Sequence, residues 1–105
     1  MTTQILAYAV LFGLSMVGAA AGPSEGKEVY DAKCRACHGA QGQGNPGLAK
    51  MMKVEIPALG SKEVQAKSDA ELKKVVTEGK GKMKPVVGLS AKQVDDVVAF
   101  IRTLK

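Results

Sequence analysis

The chain has 105 residues, of which 15 are Lys or Arg and 10 are Asp or Glu, so its formal net charge is +5 at neutral pH. A chain of this length forms one domain at most. Its basic balance does not indicate nucleic-acid binding, because only two of the basic residues are Arg and the sequence offers no aromatic platform on which bases could stack.

An uncharged segment, residues 1–21, precedes every charged side chain. Its apolar run begins at Ile5 and ends in small residues, which is typical of a secretory signal peptide cleaved near Ala19 to Ala21. An uncleaved membrane anchor is the alternative, although about 18 residues is short for spanning a bilayer. We therefore expect residues 1–21 to be a signal peptide and residues 22–105 to be an exported, periplasmic domain, which is held at a membrane only if the leader stays attached.

The first predicted helix begins at Ser24, whose side chain can cap it, and runs into the segment AKCRACHGA. Tyr30, Cys34 and Cys37 follow one another at steps of four and three residues, which places them on one helical face. The two cysteines are the only ones in the chain, and His38, directly after the second, is the only histidine.

Three other roles for the cysteine pair leave the histidine unexplained. A thioredoxin-like redox pair belongs to a βαβ unit, and this sequence has hardly any strand pattern. A zinc site lacks its fourth protein ligand, and a disulfide across two residues closes too small a loop to remove much chain entropy. CxxCH is instead the attachment signature of c-type haem. We therefore predict one haem c, attached covalently through Cys34 and Cys37, with His38 as a ligand of its iron.

The middle of the chain is predicted to be mostly loop. Residues 39–60 contain repeated Gly and Pro, with one short helix expected after Pro46. A longer helix follows a capping box formed by Ser68 and Glu71, and Gly79 stands where a glycine ends a helix.

A second capping box, Ser90 with Gln93, begins the last predicted helix. Its apolar face is predicted to consist of Val94, Val97, Val98, Ile101 and Leu104. Its polar face is predicted to consist of Lys92, Asp95, Asp96 and Arg102. All the regular elements predicted for the chain are therefore helices.

The sequence resembles the class I c-type cytochromes, which are small monohaem electron carriers. GKEVYDAKCRACHG is similar to their first helix and haem motif, and VDDVVAFIRTL to their last helix. The resemblance implies an all-α cytochrome c fold, with about four helices wrapped around one covalently bound haem. It also implies that Gly26 and Tyr30 meet Phe100 where the first and last helices cross. The second ring nitrogen of His38 is then expected to donate to a backbone carbonyl in the following loop, that of Pro46 or a neighbour.

Met83 lies in the segment EGKGKMKPVVG, between the two capped helices. Gly79 and Gly81 let the backbone bend, and Pro85 holds Lys84 extended, so the loop can place the methionine across a haem face. A methionine commonly occupies the second axial position in electron carriers, and the family has its axial Met in a Gly-rich loop at this point. Met83 is therefore the predicted second ligand of the iron.

Two alternatives to this ligand remain open. Met51 and Met52 could supply the sulfur, although they lie in an apolar segment where filling a gap in the core is the simpler role. The second axial position could also be open, and the protein would then be a haem sensor or a peroxidase.

The lysines beside Met83 suggest a docking surface. Lys80, Lys82 and Lys84 would form a basic rim that attracts acidic surfaces of redox partners such as an oxidase, a reductase or a dehydrogenase. The sequence has no triad, paired carboxylates or phosphate loop, so we predict a monomeric carrier of single electrons rather than an enzyme. A membrane-tethered subunit of a larger respiratory or dehydrogenase complex is the alternative.

Overall fold

The structure, a computed structural model, describes residues 20–105. Nearly all of the predicted signal peptide lies outside the described residues. The helices are α1 (Pro23–Lys33), α2 (Arg35–His38), α3 (Pro46–Met52), α4 (Lys62–Gln65), α5 (Asp69–Glu78) and α6 (Ala91–Ile101). Within residues 20–105 no strand forms, which confirms the all-α prediction.

The crossing of α1 and α6 forms the centre of the core. Tyr30 is fully buried, and its ring centroid lies 4.9 Å from that of Phe100. At Gly26 the helices are so close that a methyl group on the α-carbon would lie 1.9 Å from the carbonyl oxygen of Asp96. The predicted meeting of Gly26, Tyr30 and Phe100 is thus confirmed, because only a glycine lets the two backbones approach this far.

The start of α1 differs from the prediction. The helix begins at Pro23, and Ser24 lies inside its first turn rather than at the cap. A proline suits the first helical position because its missing N–H needs no partner there. The N-cap is Gly22, which has no side chain to offer, and its backbone N–H donates to Oδ1 of Asp96 over 2.8 Å.

Both predicted capping boxes are present, at the starts of α5 and α6. The polar face predicted for α6 is wrong at one position, because Asp96 is only 2% exposed. Two neighbouring helices, α1 and α5, pack against α6. They cover more of its surface than the single apolar stripe that the sequence pattern identifies. Leu104 lies beyond the end of α6, although it still packs against the core.

The short helix α4 was not predicted. Ser61 caps it by accepting from the backbone N–H of Val64, and Arg102 joins it to α6. The guanidinium of Arg102 donates to the carbonyl oxygens of Gln65 and Lys67 over 3.0 and 2.6 Å, and to Oδ1 of Asp69 over 2.8 Å. Arg102 therefore connects three helices.

Candidate haem-binding site

Cys34 lies at a break between two helices, and Cys37 lies in the second of them. The prediction of one continuous helix through Cys34 and Cys37 was wrong, because α1 ends at Lys33 and Cys34, with a φ of −118° and a ψ of −32°, separates it from α2. The chain then turns into α2, and the N–H groups of Cys37 and His38 both donate to the carbonyl of Cys34, over 3.2 and 3.0 Å. Cys34 is buried and Cys37 is exposed, and the two sulfurs do not form a disulfide.

The environment of Cys34 disfavours a thiolate. Burial, with a smaller effect of neighbouring Cys37, raises the pKa of the Cys34 thiol to about 11. Thiol exchange uses the thiolate, so this use of Cys34 is not favoured at neutral pH. Among residues 20–105 no group of three or more His, Cys, Asp and Glu side chains could hold a metal ion.

His38 has the chemistry of a haem ligand. Burial lowers the pKa of its imidazole, which favours the neutral form that binds metals. The expected hydrogen bond to the carbonyl of Pro46 is not formed, and in the described part of the chain buried Nδ1 has no hydrogen-bond partner. A buried polar atom without a partner is costly in a protein. The missing bond at Nδ1 is thus a difference from the expectation, whereas the neutral imidazole directly after two thiols that are not bonded to each other fits a covalently attached haem.

The loop after α2 is fixed by Tyr30, which belongs to the helix crossing. Burial raises the pKa of Tyr30 to about 12, so its hydroxyl stays protonated and donates to the carbonyl of Gly39 over 2.5 Å. Gly39 has a φ of 83°, and the backbone N–H of Gly44 then donates to the carbonyl of His38 over 2.7 Å. The crossing of α1 and α6 thus sets the course of the chain directly after the CxxCH motif.

Asn45 joins α2 to α3, a role that was not predicted from the sequence. Its side-chain Nδ2 donates to the carbonyl of Ala36 over 3.2 Å, and its Oδ1 accepts from the backbone N–H of Leu48 over 3.1 Å. The signal that could have found it is local: asparagine is a preferred N-cap, and Pro46 follows it at the first helical position. The contact to Ala36 is not readable from the sequence.

Met83 lies in a tight turn. The backbone N–H groups of Lys80 and Met83 each donate to the carbonyl of the other, over 3.0 and 2.9 Å. Gly81 supplies a φ of 57° at the first central position of this turn. At Gly79, which has a φ of 76°, a methyl group would lie 2.4 Å from the carbonyl oxygen of Met83. The glycines predicted to bend this loop are thus needed for its conformation.

The segment around Met83, residues 79–88, will be called the Met83 loop. It reaches the haem motif indirectly, because Val86 in the loop packs against the buried cluster that contains Cys34, as does Leu89 directly after the loop. Met83 itself is half-buried. The amine of Lys82 bonds to the carbonyl oxygen of Met52 over 2.5 Å, which connects the loop to the end of α3. Lys82 is therefore a connection within the protein as well as a surface charge.

The other two methionines occupy different environments. Met51 is 75% exposed, so its predicted role in filling the core is wrong. Met52, the next residue, is half-buried at the end of α3.

Across residues 20–105, none of the helices has the length and the apolar composition that a membrane span requires.

Known proteins resemble this chain in sequence and in fold. A family model described as cytochrome c oxidase, cbb3-type, subunit III matches residues 21–101. Cytochrome c-554(547) of Halothiobacillus neapolitanus is 39% identical over 88 residues, which cover 76% of this chain and 93% of that protein. The solved structure of the KustC0563 c-type cytochrome has a TM-score of 0.66 at 26% identity, and the match covers 76% of this chain and 96% of that one.

The fold and the CxxCH motif define a small c-type cytochrome of class I. The chain belongs to the cytochrome c family that the matching model represents. It is accordingly an electron-transfer protein that carries covalently bound haem c.

Proposed function

We propose that the chain is an exported carrier of single electrons, in which Cys34 and Cys37 hold the haem and His38 and Met83 ligate its iron. The observation that carries this proposal is the pair of thiols, not bonded to each other, directly ahead of the half-buried imidazole of His38, whose pKa is lowered by burial. When bound, the haem supplies a one-electron iron couple whose potential depends on the axial ligands and their surroundings. The protein's part is to attach, orient and cover that group.

The attachment residues have separate roles. Cys34 belongs to the buried cluster, so a thioether there joins the haem to the core, whereas Cys37 gives a second bond at the exposed end of the motif. The turn at Cys34 brings the N–H of His38 to the carbonyl of Cys34 over 3.0 Å, which restrains the histidine backbone. Burial keeps the imidazole neutral and able to bind iron.

Met83 is the best-supported second ligand. Its backbone is held by both hydrogen bonds of the Lys80–Met83 turn, so the side chain starts from a restrained position. Met51, in contrast, is 75% exposed on α3. A ligand that stays bound in both redox states needs a restrained position, and a methionine ligand raises the potential of a histidine-bound haem.

Absorption spectra of the oxidised and reduced protein test the ligand assignment. We expect Met83→Ala to lose the spectral features of methionine–iron coordination, to bind carbon monoxide and to have a lower reduction potential. Met51→Ala and Met52→Ala are matched controls that remove the same atoms from α3, and both should keep the wild-type spectrum. Unchanged coordination in Met83→Ala would refute the assignment, and loss of coordination in Met52→Ala would transfer it to that residue.

The same measurement separates the carrier from an open-iron sensor or peroxidase. A wild-type protein with both axial positions filled should bind carbon monoxide poorly at neutral pH, whereas an open site should bind it readily.

Release of the protein in the soluble periplasmic fraction would support the free carrier, and recovery only with membranes would support the tethered subunit.

We also propose that the protein acts as a monomer and that lysines of the Met83 loop attract acidic redox partners. Lys80 and Lys84 are exposed. The double variant Lys80→Glu, Lys84→Glu spares the Lys82 contact and should slow electron transfer to an acidic partner and weaken its salt dependence. The variant Lys62→Glu, Lys105→Glu makes the same charge change elsewhere. Equal effects of the two would show that only net charge matters.

A further inference from the structure

Asp96 is a buried carboxylate at the place where the N-terminal end of α1 meets α6. It is 2% exposed, and it has two polar contacts. Its Oδ1 accepts from the backbone N–H of Gly22 over 2.8 Å, and its Oδ2 accepts from Nζ of Lys92 over 2.8 Å. A buried carboxylate needs compensation by positive charge as well as by hydrogen bonds. The side chain of Lys92 is 47% exposed, so solvent screens part of its charge.

Gly22 is also the first residue after the predicted signal peptide. Ala20 and Ala21 are exposed and form no regular secondary structure. Ala19 and Ala21 fit the two small positions of an A-x-A cleavage site, which would place the cut after Ala21. The backbone nitrogen that donates to Asp96 is then the atom that the cut would turn into a chain terminus.

We propose that a signal peptidase hydrolyses the Ala21–Gly22 bond and that the new α-ammonium group of Gly22 forms an ion pair with the buried carboxylate of Asp96. One water molecule is consumed. Ala21 leaves with the leader as a carboxylate, and the amine of Gly22 takes up a proton at neutral pH. Removal of the leader thus places a positive charge at the entrance to the crossing of α1 and α6.

The charges around Gly22 favour this pair. The carboxylate of Glu25, one turn along α1, lies so close that a methyl group on Gly22 would come within 2.0 Å of its Oε2. Lys92 opposes the new charge, and so does the partial positive charge at the start of α1. Asp95 faces the other way and pairs with Lys73 over 2.6 Å. Two carboxylates therefore surround the ammonium group, against one lysine and the helix end.

The position of the cut decides whether the pair forms. A cut one or two residues earlier leaves Gly22 with an ordinary amide and puts the charge on an exposed alanine. The amide would still donate to Asp96, but it would bring no charge. The sequence pattern allows several cuts near Ala19 to Ala21, and the buried carboxylate favours the one before Gly22.

The first test is the intact mass of the exported holoprotein, expressed from residues 1–105. The mass should equal residues 22–105 plus one haem. A mass that begins at another residue, or one that retains the leader, would overturn the proposal. Because the haem adds the same mass in every case, this result does not depend on how the iron is ligated.

The second test compares two holoproteins, one that begins at Gly22 and one with a single alanine added before it. In the first, Asp96 and Glu25 should raise the pKa of the α-amino group above its usual value of about 7.7–8.0. A group whose folded pKa is raised stabilises the protein below its unfolded pKa, and the effect is lost as pH rises through the folded pKa. The unfolding temperature should therefore fall as the pH rises above about 8 in the protein that begins at Gly22, and this fall should be absent from the protein with the added alanine.

Substitutions identify the carboxylate. Asp96→Asn should remove this alkaline step, whereas Asp95→Asn, which makes the same charge change on the neighbouring residue, should leave it. If Asp96→Asn fails to fold, the protein with the added alanine still tests whether the ion pair forms, because it retains Asp96 and lacks only the charge on Gly22. An identical alkaline profile in the proteins with and without the added alanine would overturn the ion pair.

Discussion

The crossing of α1 and α6 and the Met83 loop are stabilised in different ways. At the crossing, Tyr30 and Val97 are fully buried and the two helix backbones touch at Gly26. In the Met83 loop the main restraints are backbone hydrogen bonds, such as those of the Lys80–Met83 turn and the bond from Val86 to the carbonyl of Val76. Met83 is only half-buried, and Val87 is 75% exposed.

This difference shows how a small haem protein divides its core. The polypeptide completes one half by itself, because α6 buries its apolar side chains against α1 and α5. The other half brings a half-buried methionine and a half-buried histidine, whose buried Nδ1 lacks a hydrogen-bond partner within the described residues. We therefore expect substitutions at the crossing to reduce stability and substitutions in the Met83 loop to change the iron environment.

The largest expected effect is at Gly26. Gly26→Ala would place a methyl group 1.9 Å from the carbonyl oxygen of Asp96 and 3.0 Å from Cβ of Phe100, so the two helices must separate. We expect the free energy of unfolding to fall by about 3 kcal/mol, the upper part of the range for overpacking. Denaturant unfolding of the holoprotein measures this loss, and the absorption spectrum of the folded protein should stay that of the wild type.

Gly47→Ala is the matched control, because Gly47 lies in α3 and an added methyl group would come no closer than 3.6 Å to another atom. An alanine inside a helix is more stable than a glycine, by roughly 0.5–1 kcal/mol. Gly47→Ala should therefore leave stability unchanged or raise it. An equal loss in both variants would show that the crossing is not the more tightly packed region.

The sequence predicted the two regions unequally. The capping boxes and the apolar face of α6 were readable because they depend on residues three or four positions apart. The crossing at Gly26 came from family resemblance. The break at Cys34, the contact of Asn45 with Ala36 and the burial of Asp96 were not predicted, since each depends on residues brought together by the folded chain. The assignment of Met83 as a ligand remains a proposal.

A substitution at Gly79 in the Met83 loop should change the iron environment more than the stability, which is the opposite of what we expect for Gly26→Ala. Gly79→Ala forces an alanine to a φ of 76° and places its methyl group 2.4 Å from the carbonyl oxygen of Met83. Strain of this kind costs about 1–3 kcal/mol where the backbone cannot relax, and here the loop can relax by moving Met83. We expect a smaller loss of stability than at Gly26, together with weaker methionine coordination in the absorption spectrum.

Gly81→Ala controls for the backbone effect alone, because Gly81 also has a positive φ, 57°, but has no other atom within 4 Å of an added methyl group. It should lower stability slightly and keep the coordination of the wild type. If Gly81→Ala lost methionine coordination and Gly79→Ala kept it, the contact between Gly79 and the carbonyl oxygen of Met83 would not be what places the ligand.

The smallest expected effect is the loss of stability at acid pH that Asp96 causes at the crossing of α1 and α6. The bond from Lys92, followed by that from the Gly22 N–H, lowers the pKa of Asp96 below its usual value. A lowered folded pKa means that the stabilisation is present above the unfolded value of about 3.9 and is lost as pH falls through the folded pKa. Asp96→Asn should therefore be less stable than wild type at neutral pH, and the two should converge below about pH 4.

Glu71→Gln provides the comparison for this acid effect. Hydrogen bonds from Ser68 lower the pKa of Glu71 in the capping box of α5, so its stabilisation is lost over a similar acid range. Glu71 is exposed, and solvent and salt screen its interactions more than those of buried Asp96. Thermal unfolding at several pH values should show a smaller difference in unfolding temperature between wild type and Glu71→Gln than between wild type and Asp96→Asn. Added salt should reduce the Glu71→Gln difference further. If Glu71→Gln removed as much of the acid dependence as Asp96→Asn, the buried carboxylate at the crossing would have no special contribution.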